Sequence, residues 1–540
     1  MMKTKDILLA VAALLTFAVV FYACKNPGEG VTININTNVL KSPTAVQFVN
    51  AVKNAPNQPD DFPVTIGGKD ADKVVTITNK TQFNAVDGRI FLALKKGVVP
   101  SEANPVVFTV AAEVAGFTPA TKTFRITSEA PSATVVPLIE YANPVPGTTA
   151  VVENNPIVGG VTPTVITIET PTNPGMEEQA TITIPAGTEF RDAAGNLINA
   201  TSLESRVVQF GTDSPEALAA FPGGFDVANI TGENGQPIEG GVAFITAGFI
   251  AMDMYAGGTE VKNFSKPIEV SMGVSPEVTN PETGTVVKAG DQVPVWSLDD
   301  KTGQWKYESE ATIVKDAQGN LTASFSATHL SYWNLDWYST FCPNTTTITY
   351  SMPGYVTEQY QVELVSSNGY VSYSYPTLTD GAKYVQRLPT GNFKIVVRNP
   401  INNVIIVETP SFNGCGGNVT VNFPAKNDLD IVNVAINLQG TCPNKPLNTN
   451  IDSHALVYEK GKPRSQGTTV YVKLGKLNLQ LKNNTEYVVE AQYGDAWKTA
   501  NIAFKKQDFS FPGTVSGTAT YDQGTNTVNV LAQFRLPDCN

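Results

Sequence analysis

Apolar and polar residues alternate with a period of two through most of this chain. Val31-Thr32-Ile33-Asn34-Ile35-Asn36-Thr37 is the first such run. Successive residues of a strand point to opposite faces, so the run predicts a half-buried strand. Runs at 64–66, 74–77, 89–94, 106–114 and 121–127 read the same way, with Gly, Pro, Asn and Asp between them. Thr181-Ile182-Thr183-Ile184, Lys394-Ile395-Val396-Val397-Arg398 and Tyr487-Val488-Val489-Glu490-Ala491 predict strands further along. Helical periodicity is confined to Pro215-Glu216-Ala217-Leu218-Ala219-Ala220-Phe221, which Pro222-Gly223-Gly224 ends. The pattern predicts an all-β chain.

At 540 residues the chain is too long for one hydrophobic core, so several domains are expected. A Pro-rich stretch at 131–146 reads as a linker between a β-sandwich domain at 31–130 and a larger β domain at 147–339. Two further sandwiches are expected at 340–426 and 427–540. Each carries Cys-Pro-Asn near its start, at Cys342-Pro343-Asn344 and Cys442-Pro443-Asn444. The strand lengths suit Ig-like or transthyretin-like sandwiches in tandem. Near-identical turns at Asp192-Ala193-Ala194-Gly195-Asn196 and Asp316-Ala317-Gln318-Gly319-Asn320 supply too few oxygens for calcium and are read as plain turns. No loop is rich enough in aromatic residues to name as a ligand site.

The first residues are organised differently. Lys3 and Lys5 precede an uncharged apolar run at 7–23 that ends at Cys24. This is the layout of a secretory signal, and it resembles a bacterial lipoprotein signal. The resemblance implies removal of 1–23, a lipid on Cys24 and a tether at 24–30. Phe21 and Tyr22 depart from the residues usual there, while Ala23 fits. The plainer reading is an uncleaved membrane helix, for which 17 apolar residues are barely enough. Export also suits the other cysteines. Four cysteines allow three pairings, and sequential pairing, Cys342 with Cys415 and Cys442 with Cys539, matches the domain boundaries. A net charge of −12 without basic clusters gives no footprint for nucleic acid. Two histidines make His-rich metal sites improbable, and no cofactor is expected. The partners expected are the membrane, through the lipid, and an unknown surface protein or glycan. The location expected is the outer membrane, facing the surface or the periplasm.

Two internal stretches resemble known families. The phrase Val110-Ala111-Ala112-Glu113-Val114-Ala115-Gly116-Phe117, followed by Lys122-Thr123-Phe124-Arg125-Ile126, resembles the last hairpin of carboxypeptidase-regulatory-like sandwiches in Bacteroidetes-type surface lipoproteins. Trp296, Trp305 and the run Ala327-Thr328-His329-Leu330-Ser331-Tyr332-Trp333-Asn334 resemble the end of cartilage-intermediate-layer-protein-type and GAIN-type domains. That second resemblance implies self-cleavage, with Ser331 Oγ attacking the Leu330 carbonyl and His329 taking the proton. The receptor domains flank this site with disulfides, and no cysteine lies between Cys24 and Cys342. The same residues also alternate as an ordinary strand, with the tryptophans as packing. Asp299-Asp300 reads as a turn, and Asp452-Ser453-His454, as sequence neighbours, do not make a triad. The leading expectation is a non-catalytic surface lipoprotein for adhesion, ligand binding or envelope assembly. The alternatives are a protein cut between Leu330 and Ser331, and a hydrolase using carboxylates.

Overall fold

Alternation fixes which face of each strand is buried, and here it often buries both. In Arg89–Leu94, Ile90, Leu92 and Leu94 enter one core, while Arg89 and Phe91 face a different part of the chain. We describe the computed structural model over residues 33–36 and 40–536, apart from 174–175, 177, 368, 400–401, 428, 443–446 and 494–495. The chain is nearly all β, 59% strand and 2% helix, and forms tandem β-sandwiches. The single α-helix among the described residues, Pro215–Ala219, is capped by Ser214. No helix among them is long and apolar enough to cross a membrane.

The first module stacks two four-stranded sheets. One runs Val74–Thr76, Arg89–Leu94, Lys41–Asn50, Ser132–Leu138, and the other Asn84–Ala85, Phe62–Gly67, Val106–Ala112, Ala120–Ile126. The stretch expected as a linker therefore supplies a strand, since Ser132–Leu138 pairs in parallel with residues 44–50. Its prolines read as breakers, but it is an edge strand, and an edge needs N–H donors on one side alone. The first predicted strand also lies elsewhere than expected. Ile33–Asn36 pairs in parallel with Leu447–Asn450 and so joins the last module's sheet. Period two specifies a strand without specifying its partner.

The second and third modules share one continuous core. The strand Tyr332–Ser351 pairs with Val242–Ala256 and Gln292–Leu298 in the second, then with Lys383–Pro389 and Gly417–Asn422 in the third. The boundary expected at 339/340 falls inside this 20-residue strand. Trp296, Trp305 and Trp333 are all buried in this core. Cys342 and Cys415 form the expected disulfide across the third module. Cys442 is also disulfide-bonded, while its expected partner Cys539 lies outside the described residues, as does Cys24. The fourth module packs a sheet centred on Ile431–Cys442 against Thr468–Val472, Ser453–Glu459, Thr485–Tyr493 and Ala496–Phe504.

The modules close on themselves instead of forming an open string. The first meets the second through Thr109 Oγ1 donating to the Thr302 carbonyl at 2.9 Å and Tyr141 donating to Asp253 at 3.1 Å. Gly303 makes this approach possible. It adopts φ +65, and a Cβ there would lie 2.3 Å from Thr109 Oγ1. The third meets the fourth through Thr357 and Gln480, which bond backbone to backbone and backbone to hydroxyl at 2.8 Å. The fourth returns to the first, where Gln47 Nε2 donates to the Ser465 carbonyl at 3.0 Å.

Candidate functional site

The segment with expected chemistry lies between the two sheets of the second module. One strand ends at His329 and the next begins at Tyr332, so Leu330-Ser331 is a two-residue link rather than strand interior. The Leu330 N–H donates to the Lys262 carbonyl at 3.0 Å. Ser331 Oγ donates to the Leu298 carbonyl. His329 Nε2 lies 3.4 Å from Glu308 Oε1, and its ring stacks on Trp333 with centroids 5.0 Å apart. Burial alone would raise the Glu308 carboxyl, but bonds from His329, Ser297 and Lys306 outweigh it and pull it down to about 2. The fold thus brings His329 and Ser331 to one bend and gives each a different partner.

Other sequence candidates are absorbed by structure. Asp299 Oδ1 accepts from the Lys301 and Thr302 N–H groups, closing a turn. Asp192 Oδ1 accepts from Ala194 and Asn196, and Asp316 Oδ1 from Gln318 and Asn320, so each carboxylate serves its own turn. Asp452 accepts from the Leu474 N–H, and Ser453 Oγ donates to a backbone carbonyl. Among the described residues Glu113, Glu260 and Asp300 hold carboxylate oxygens within 4.8 Å of one another. Lys262 Nζ lies 2.7 Å from Glu260 and 3.4 Å from Asp300, so an ammonium already provides the cation there.

A different place emerges where the four modules meet. A cleft of about 550 Å³ is lined by Ser132–Thr134 of the first module, Asp226 of the second, Tyr370–Tyr375 of the third and His454 with Tyr471 of the fourth. Asp226, Ser372, Tyr373 and Tyr375 also line a narrow space of about 50 Å³ with Lys122. Tyr375 then borders a further cleft of about 400 Å³. Tyr370 donates to Asp226 Oδ1 at 2.5 Å. Asp226 is exposed to solvent yet hemmed in by protein, the situation of a cleft wall, and that burial raises its carboxyl against the opposing effects of Tyr370 and Lys122. Burial lowers the Lys122 ammonium, and Asp226 opposes it. His454 is 1% exposed, stacks on Phe91 at 5.1 Å and is pushed down to about 4 by burial, with the Ser132 backbone opposing.

The sequence reading did not single out these tyrosines and found no aromatic ligand site. A signal was present. In Tyr370-Val371-Ser372-Tyr373-Ser374-Tyr375-Pro376, Tyr373 and Tyr375 are two apart beside the strand Val371–Ser374 and so share a face.

No family model and no curated relative matches the chain. Among solved structures, the major pilin subunit BcpA of Bacillus cereus is similar at 8% identity over 91% of this chain and 99% of that one, with a TM-score of 0.15. The minor pilin GBS52 of Streptococcus agalactiae aligns at 10% identity over 36% of this chain and 97% of its own, with a TM-score of 0.13. The chicken CNTN1 FN1-FN3 domains align at 12% identity over 44% and 94%, with a TM-score of 0.10.

Proposed function

We propose that this chain is a non-catalytic, lipid-anchored cell-surface protein that binds a ligand in the cleft between its modules. The observation that carries the reading is the cleft itself, a concave space of about 550 Å³ lined in part by tyrosines, to which all four modules contribute. Sites of that size and character, set between domains, are where small molecules bind. The lipid anchor rests on the N-terminal layout ending at Cys24. Replacing Cys24 with Ser is expected to abolish palmitate incorporation and surface retention. Labelling at the wild-type level in that variant would refute the anchor.

One observation favours self-cleavage as a second reading, namely that Leu330-Ser331 is a tight link and not a strand interior. Against it stand the hydrogen bonds that commit Ser331 to Leu298 and His329 to Glu308. The expected outcome is a single denatured chain from freshly purified, protease-free protein. A fragment beginning at Ser331, abolished in Ser331→Ala, would establish the second reading instead.

A further inference from the structure

We infer that the junction cleft takes a short neutral oligosaccharide, with Tyr373 and Tyr375 against its C–H faces and Asp226 accepting from its hydroxyls. This deepens the proposed function and rests on it.

Shape comes first. Tyr375 lines both the cleft of about 550 Å³ and a second of about 400 Å³. Two spaces that share a wall residue suit an extended ligand better than a compact one.

The lining chemistry narrows the class. Tyr373, Tyr375 and Tyr471 line the first cleft, and among the described residues their hydroxyls make no hydrogen bond to the protein. A phenol in a cleft both donates and accepts, and leaving it unmatched costs free energy, so water or a ligand must serve it. Asp226 spends Oδ1 on Tyr370, and the described hydrogen bonds leave Oδ2 unassigned. Tyrosine rings present a negative face to C–H groups and a polar tip to hydroxyls. A purely apolar ligand would strand the hydroxyls and Asp226 without partners.

Charge narrows it again. Asp226 and Lys122 offset each other, and Gly224 makes room for that lysine, since a Cβ there would lie 2.8 Å from its Nζ. Arg387, the other charged residue of the first cleft, has its Nε committed to the Cys342 carbonyl at 2.8 Å. His454 is buried without a charge partner. Lys53, Glu358 and Lys462 line the second cleft, so charges of both signs face the two spaces and no field of a single sign selects a charged ligand. Peptides that bind extended usually add a strand to a sheet edge. Of the edge strands bordering this cleft, Ser132–Leu138 contains Pro137, Val371–Ser374 is followed by Pro376, and Thr468–Val472 has its Thr469 carbonyl taken by Thr377 Oγ1 at 2.8 Å. What remains is a neutral molecule with apolar faces and many hydroxyls.

The test titrates the full chain in detergent with maltohexaose, cellohexaose, mannohexaose and a neutral galactan fragment by calorimetry. At least one is expected to bind. Tyr375→Ala and Asp226→Asn should each weaken that binding by about tenfold or more. Tyr471→Phe, which deletes one oxygen, should weaken it less while leaving thermal unfolding unchanged. The last variant keeps the test sharp if Tyr375→Ala loosens the junction. No binding by any of the four sugars would overturn the inference, as would equal binding by all the variants. Tighter binding of an acidic oligosaccharide or of a short peptide, titrated alongside, would overturn it too. Palmitate labelling through Cys24 is read separately, so a sugar-blind but labelled protein would sink this inference and leave the surface reading standing.

Discussion

The joint between the second and third modules and the seam between the first and fourth are built from opposite materials. The former is one strand, Tyr332–Ser351, running through a single core, with the Cys342–Cys415 bridge starting from within it. The latter has no shared core. It consists of side chains meeting across a gap. Arg89 donates to the Arg464 and Ser465 carbonyls at 3.2 Å, Arg464 pairs with Asp87, and Phe91 stacks against His454 and Trp497. Joined by backbone and buried carbon, two modules become one cooperative unit. Joined by charge and ring contacts, they remain separable, and such seams respond to pH and salt. The cleft lies between these two joints, so the seam is the side from which it can be opened.

The largest expected effect tests the first half of that contrast. Trp337 is buried in the shared strand, pairs with Ile245 and donates to the Gln292 carbonyl at 3.2 Å. Trp337→Ala is expected to cost about 3–5 kcal/mol. If the joint is one unit, calorimetry will show the transition of the second and third modules moving down together while the fourth stays in place. Two separately shifted transitions for those modules would break the comparison.

How much of this was legible in the sequence depends on the distance over which each feature acts. Strand identity is local: the run at 89–94 is a strand over its whole length, and the run at 106–114 is one over Val106–Ala112. Pairing partners are not local. Nothing in Ile33–Asn36 says that it joins Leu447–Asn450, over 400 residues away, and nothing in the Pro-rich run at 131–146 says that an edge position would tolerate Pro137. Sequential pairing of Cys342 with Cys415 is preferred among three because it matches the expected domain boundaries, and a disulfide staple stays within its module. His329, Leu330 and Ser331 were found by resemblance, but their hydrogen bonds depend on Leu298 and Glu308, and those contacts exist only once the sheets stack. The cleft was invisible for the same reason, because its walls are contributed by four segments that meet only when the ring closes.

Acid should loosen the polar seam before it touches the fused joint. Burial holds His454 near 4 in the folded protein, while an unfolded histidine titrates near 6.5. Above that value the ring is neutral in both states and adds no pH dependence. Between the two values only the unfolded chain takes up the proton, so stability falls as the pH falls. The slope approaches about 1.4 kcal/mol per pH unit, and the total is on the order of 3 kcal/mol. Thermal unfolding of the fourth module from pH 7 to pH 4 is expected to show this slope, and His454→Phe should remove it while keeping the ring against Phe91. A slope unchanged in that variant would assign the acid sensitivity elsewhere.

The smallest expected effect is the most specific to the seam. Arg464 reaches two carboxylates, Asp87 across the seam and Glu490 within its own module at 2.6 Å, and its guanidinium lies 4.7 Å from the Trp497 ring centre. Its side chain is 24% exposed, so water and salt screen the pair and its worth is modest. Arg464→Ala should cost about 1 kcal/mol in global stability. Local opening is the better readout, because the residues behind the seam exchange their amide protons only when it parts. In Arg89–Leu94, where Phe91 faces the fourth module, exchange should accelerate several-fold in the variant. In Tyr332–Ser351 it should not change. Raising the salt concentration should reproduce the acceleration in the wild type and add little in Arg464→Ala, because the screened interaction is already gone. Equal acceleration in both strands would mean that the ring opens as a whole, and the distinction between a fused joint and a separable seam would fail.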